Sequence, residues 1–145
     1  YKYLKWRYSN PGAKYKVYIA EKADHVAGYV VIACEEKSIS IDKIKLDGLK
    51  IGYIVDLVAE KDLMASLLSK AEEELEKQKV CLVNCWTTKN SPCFNVLRKM
   101  QYYRIPNQIG KITMVAKIHI PHLKNIFSSE HSKDILISLG DTDLV

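Results

Sequence analysis

Between Ile51 and Thr87 the hydrophobic period changes twice. Ile51-Gly52-Tyr53-Ile54-Val55-Asp56-Leu57-Val58-Ala59 is a nearly continuous apolar strand broken by one acid. From Asp62, apolar Leu63, Met64, Leu67, Leu68, Ala71 and Leu75 recur at helical spacing, while Ser66, Lys70, Glu73 and Lys77 take the opposite face. Val80-Cys81-Leu82-Val83-Asn84-Cys85-Trp86-Thr87 returns to a buried-strand pattern after a very short connection. Strand, helix, strand in that order predicts a right-handed crossover and a parallel pair. Asp62 can cap the helix, and Lys77 and Lys79 suit the negative end of its dipole.

Upstream of this unit the alternation of Tyr15 to Glu21 predicts a half-buried strand. A turn follows at Ala23-Asp24-His25, and Val26 to Cys34 reads as the antiparallel, more central return. Ser38 to Leu46 alternates again, and Asp47-Gly48 is a turn signal before the Ile51 run. Downstream, Ser91-Pro92 opens a second helix carrying Phe94, Val96, Leu97 and Met100. Tyr102 to Ile105 and Ile112 to Ile118 read as two further strands, and Ile135 to Leu139 as a short edge strand in a polar tail.

A chain of 145 residues, 48% hydrophobic and 27% charged, has the composition of one globular domain. No apolar run approaches the roughly 20 residues that span a bilayer. The opening residues Tyr1 to Arg7 lack the apolar core of a signal peptide. A soluble, cytoplasmic protein without a membrane partner is the expectation. The net charge of +5 resides in residues 1–22, where Lys2, Lys5, Arg7, Lys14, Lys16 and Lys22 face only Glu21; the rest is balanced. That distribution marks a solvated segment or a junction with upstream chain rather than a nucleic-acid footprint. Cys34, Cys81, Cys85 and Cys93 read as reduced thiols, with Cys81 and Cys85 on one face of a strand as core. His119 and His122 have no cysteine nearby, so no metal is expected.

Short patterns then narrow the class. Asp56-Leu57-Val58-Ala59 ends a strand just ahead of the helix at Asp62, and Asn90, Cys93, Gln101 and Tyr102 follow at a characteristic spacing. In order of elements and in these motifs, the chain from about Tyr15 to Ile118 resembles the GNAT superfamily of acyl-CoA-dependent N-acyltransferases. Trp6-Arg7-Tyr8 and Gly140-Asp141-Thr142-Asp143 resemble features of a GNAT-like subgroup found as the second half of longer chains. The resemblance implies an α/β fold, a mixed sheet with a central parallel strand pair flanked by helices, whose core begins late, near the end of the second helix and without the first strand. Residues 1–14 would then be the end of a helix or a linker from an upstream region, 15–118 the core, and 119–145 a carboxy-terminal tail.

Acetyl-CoA or another acyl-CoA is the implied co-substrate, with no metal, and a small-molecule or peptide amine the acceptor. An upstream GNAT-like half of the same chain is an implied partner. Leu57, Val58 and Ala59 would bond the extended pantetheine arm as an added strand, one amide facing the thioester oxygen. Lys61, Asp62, Leu63 and Met64 would face the pyrophosphate at the helix start. Asn90 and Phe94 complete the implied CoA-binding set, and Tyr102 is the candidate proton donor to the leaving thiolate.

The sequence departs from the family in three places, one of them Gln101, which stands where the family's pattern has a glycine. The loop Glu60-Lys61-Asp62-Leu63-Met64 has no glycine and two carboxylates, and the family's usual tyrosine falls on Leu97. A degenerate half acting as a binding or structural domain is therefore the competing reading. Asp56 discriminates most, because an acid in an apolar strand must be paired, hydrogen-bonded or open to a cleft. The resemblance implies an acid that deprotonates the amine or orders a water that does so; the other reading is an acid on the solvent face or bonded to a loop amide. Glu60 and Glu21 are the alternatives for the base.

Overall fold

In the computed structural model, residues 2–9, 14–41, 44–89 and 91–103 are described, with backbone alone for 39–41 and 44–46. They fall into two compact units, one reaching to Thr87 and the other beginning at Thr88. The first unit holds helix α1 (Lys2–Tyr8), strands β1 (Lys16–Lys22), β2 (His25–Ile41) and β3 (Ile44–Ala59), helix α2 (Met64–Lys77) and strand β4 (Leu82–Cys85). The sheet order is β1-β2-β3-β4, antiparallel except for the β3–β4 pair. The predicted strand, helix, strand order with a parallel pair is present.

Burial and register assign each strand residue to a face. Val31, Ala33, Ile51, Tyr53 and Val55 join Leu4 and Tyr8 of α1 in one cluster. On the opposite face, Val30, Ile32 and Ile54 are fully buried, as are Leu68 and Leu75 of α2. Each such aliphatic side chain contributes about 1.5–3 kcal/mol on burial. The helical face predicted for α2 is the buried one: Met64, Leu67, Leu68, Ala71 and Leu75. Its outer face carries Lys70 and Lys77 against Glu73 and Glu74, and Tyr18 Oη of β1 donates to Glu74 Oε2 at 3.0 Å. Hydrogen bonds from Lys77, Lys70 and Tyr18 hold the Glu74 carboxyl down at about 2.

Two glycines let α2 lie close to the sheet. A Cβ on Gly28 would sit 2.6 Å from Ala59 Cβ and 2.9 Å from Leu67 Cδ1; one on Gly52 would sit 2.9 Å from Leu75 Cδ2. At its far end α2 closes with Lys79 in the left-handed region, φ 59°. Lys79 N–H donates to Glu76 O and Val80 N–H to Leu75 O, a Schellman closure built without glycine.

Several expectations are corrected. Asp47-Gly48 is not a turn. Ile41 pairs with Ile44, so one long hairpin runs through this region, and Asp47 and Gly48 sit together opposite Ser38 as a bulge. Gly48, at φ 71°, supplies the positive φ that the bulge needs. Beyond Ile32 on β2 and before Ile51 on β3, the two strands pair only with each other among the described residues. Asp62 does not cap α2: Leu63 is the N-cap residue with no side-chain bond, and Asp62 instead accepts from Lys22 Nζ at 3.4 Å. Cys81 is exposed rather than core, with its thiol directed at Lys50 O, because β4 begins one residue later. The basic amino-terminal stretch is not wholly solvated, since Leu4 and Tyr8 of α1 are buried.

In the second unit, α3 (Pro92–Lys99) starts as predicted, with Ser91 as N-cap accepting from Cys93 N–H and Pro92 in the first turn. Tyr102 and Tyr103 follow it outside any strand. Ile105, the expected strand Ile112–Ile118, His119, His122 and the tail lie outside the described residues. Among the described residues no helix is long and apolar enough to cross a membrane.

The tight contact at Gly28 predicts that Gly28→Ala lowers unfolding free energy by about 1–3 kcal/mol, because Ala59 and Leu67 must both move. Urea denaturation checks this; an unchanged midpoint would contradict the packing described.

Candidate functional site

One residue of β3 departs from the simple alternation, and that residue creates the site. Val31 of β2 lies opposite Asp56, while its neighbour Ile32 lies opposite Ile54, so Val55 is an extra residue in β3. Without it, Asp56 would share the α2 face with Ile54. With it, Val55 and Asp56 both turn to the α1 face, and the alternation resumes one step out of phase: Leu57 and Ala59 on the α2 side, Val58 on the α1 side. Bulges re-aim side chains in this way.

Asp56 is the buried charged residue among those described, 8% exposed. Tyr8 Oη of α1 and Tyr29 Oη of β2 both donate to its Oδ2, each at 3.0 Å. No described residue bonds Oδ1, and no described lysine, arginine or histidine forms an ion pair with it. The expected alternatives of a solvent-facing acid or one bonded to a loop amide are not what the structure contains. Burial, and then the neighbouring Asp56, push the Tyr8 phenol well above its ordinary value of 10.0, so it stays a neutral donor.

The parallel ladder stops at the same place. β3 pairs with β4 from Ile51↔Leu82 to Ile54↔Cys85 and no further, while β3 continues to Ala59 paired with β2. Among the described residues Val55 to Ala59 therefore present an edge with no strand on the β4 side. Val58 is 54% exposed there. Trp86, the residue after β4, packs half-buried on the cluster of the α1 face.

The remaining sequence candidates are distributed as follows. Leu57, Val58 and Ala59 lie on the open edge, and Lys61 to Met64 form the turn into α2, where Met64 is buried. Glu60 accepts from Lys22 Nζ at 3.2 Å and meets His25 Nε2 at 3.3 Å, so both loop acids are tied to the β1–β2 hairpin. These bonds, His25 first, hold the exposed Glu60 carboxyl below its usual value. Glu21 is exposed on β1. Phe94 and Tyr102 belong to the second unit, where Tyr102 N–H closes α3 onto Leu97 O. Gln101, at the family's glycine position, adopts φ 66°. Asn90 lies outside the described residues. Sequence reasoning missed Tyr8 and Tyr29. A phenol within the β-branched run Val26 to Cys34 was the available signal for Tyr29; Tyr8 was marked only as part of Trp6-Arg7-Tyr8, and nothing local tied it to Asp56.

The chain matches no protein-family model and no curated protein sequence. Among solved structures it is similar to a mutant of the BH1408 protein from Bacillus halodurans, with TM-score 0.53 and 16% identity over 74% of this chain and 68% of that one. It is also similar to a protein of Pyrococcus furiosus described as a "putative acetyl transferase", with TM-score 0.52 and 19% identity over 81% and 73% of the two chains. The fold is GNAT-like. At these identities the likeness extends to the fold alone.

Because the Tyr8 phenol is raised in the folded state and not in the unfolded one, its contribution is fully present below pH 10 and is lost as pH climbs above it. Tyr8→Phe should cost about 1–3 kcal/mol at neutral pH through the donor lost to a buried acid. It should also flatten the alkaline fall in melting temperature. Parallel alkaline profiles for wild type and variant would show that Tyr8 is not the titrating group.

Proposed function

We propose that the chain transfers an acyl group from acyl-CoA to an amine, with Asp56 as the proton acceptor. The observation that carries this reading is the parting of β3 from β4 at the residue where the bulge presents Asp56. An open strand edge supplies main-chain donors and acceptors for an extended amide-bearing arm, as in added-strand recognition. Val58 and its neighbours would bond the pantetheine, and an amide of this edge would polarise the thioester carbonyl.

The residues at the start of α2 fit a pyrophosphate in part. The N-cap carries no side-chain bond, so its amides are not capped from within, and Lys61 lies in the turn. In the reaction the amine nitrogen forms a bond to the acyl carbon and the C–S bond breaks with its electron pair on sulfur. One N–H proton passes to Asp56, and the thiolate takes a proton from water. Acyl-CoA itself supplies the activated thioester; no metal is invoked.

One observation favours the second reading, a GNAT-fold half that binds or supports another half of the same chain. Glu60 and Asp62 place two carboxylates where the pyrophosphate would lie, and Lys22 offsets them only in part. Acetyl-CoA separates the two. Present at 100 times its Kd, it adds about 2.7 kcal/mol of stability, which for a chain of this size raises Tm by roughly 5–10 °C. No shift in a clean two-state melt would remove CoA binding and leave the supporting-domain reading. With a reactive amine in hand, Asp56→Asn should lower kcat by about 100-fold or more while leaving acetyl-CoA affinity within a factor of two or so. Unaltered turnover would take Asp56 out of the chemistry.

A further inference from the structure

We propose that the outer face of α1 is a docking surface for an anionic phospholipid membrane, against which the chain lies without crossing it. The inference stands apart from the proposed acyl transfer, since it uses neither the strand gap nor Asp56 as a base.

Helix geometry divides α1 into stripes. The buried pair Leu4 and Tyr8 marks its inner face. At about 100° per residue, Trp6 then falls almost diametrically opposite, with Tyr3 and Lys2 to either side of it and Lys5 and Arg7 on the two flanks. Exposure follows that division. Trp6 is 76% and Tyr3 51% exposed, Lys2 and Lys5 are exposed, and Arg7 is half-buried. The two rings lie together, with centroids 6.3 Å apart and planes inclined at 44°. The crest of the helix is thus a pair of amphipathic aromatic side chains between basic flanks.

Charge, chemistry and shape select the partner. Residues 1–22 hold the whole net charge of +5, and α1 contributes Lys2, Lys5 and Arg7 to it with no acid. Among the described residues no acid forms an ion pair with Lys2 or Lys5. The complement of that surface is anionic. Trp and Tyr rings favour the boundary between water and hydrocarbon, where the ring body is buried and its N–H or O–H meets the headgroups, while lysine stems reach back to lipid phosphates. With seven residues α1 is only about 10 Å long, far too small to offer the roughly 800 Å² that a standard protein partner covers. A convex ridge also lacks the positively charged groove that tracks a single nucleic-acid strand. A flat anionic surface requires neither area nor groove, and docking at it needs no helix long enough to span. On its inner side α1 is held by the packing of Leu4 and Tyr8 and by the Tyr8 bond to Asp56. The crest is therefore presented on a fixed base.

Phosphatidylcholine vesicles with and without about one-third phosphatidylserine are the probe. The chain should cosediment with the anionic vesicles at least about tenfold more strongly than with the neutral ones, and salt at about 1 M should remove the difference. Brominated acyl chains in the anionic vesicles should quench its fluorescence, and Trp6→Phe should lose that quenching although Trp86 remains. Trp6→Ala should weaken partition by about tenfold and Lys5→Gln by about fivefold. Both side chains are exposed, so neither variant should change the melting temperature. No cosedimentation, equal binding to the two vesicle types, or binding unchanged in Trp6→Ala overturns the proposal. Polyuridylate bound in preference to the anionic vesicles also overturns it, by making the crest a nucleic-acid surface. An acetyl-CoA shift without vesicle binding would keep acyl transfer and remove the membrane surface; vesicle binding without that shift would do the reverse.

Discussion

A carboxyl group held inside an apolar sheet is tolerated only where donors reach it, and the arrangement around Asp56 follows from that requirement. Tyr29 comes from the neighbouring strand and Tyr8 from a helix 48 residues away in sequence, both aimed at one oxygen. α1 is only seven residues long, too short to be stable by itself, and it stays folded through Leu4, Tyr8 and their neighbours in the sheet core. The bond to Asp56 thus belongs both to the site and to the attachment of the amino-terminal segment.

The bulge at Val55 makes this geometry available. A strictly alternating strand would have turned Asp56 to the α2 face, where the helix buries Met64, Leu67, Leu68, Ala71 and Leu75. The same extra residue coincides with the end of the parallel ladder, so one local irregularity both redirects the acid and opens the strand edge beside it. Sheet geometry, rather than a loop, positions the candidate chemistry.

Much of the framework was legible in the sequence, because the change from strand period to helix period at Asp62 and back near Val80 is a local pattern. Asp56 was legible as an anomaly for the same reason. Its face was not, since a bulge leaves no mark in an unbroken apolar run. Asp47-Gly48 misled because a turn and a bulge make the same demand on glycine, a positive φ, and only the pairing partner distinguishes them. Cys81 looked like core because the run from Val80 to Thr87 extends two residues beyond each side of the paired segment Leu82–Cys85. Tyr8 was beyond reach, since its partner is set by tertiary packing and not by any neighbour in sequence.

The sheet is laid down in chain order, and its longest pairing is the hairpin of β2 with β3. Antiparallel neighbours joined by tight connections lose little chain entropy on closing, so this hairpin can zip outward from Ile41 and Ile44 before distant segments meet. The parallel ladder is different: it must wait for α2 to form and swing β4 back across the sheet. The strand gap beside Asp56 therefore comes into being only once β4 has been carried back to the sheet. A chain arrested before that event would contain Tyr8, Tyr29 and Asp56 without the parted strands beside them.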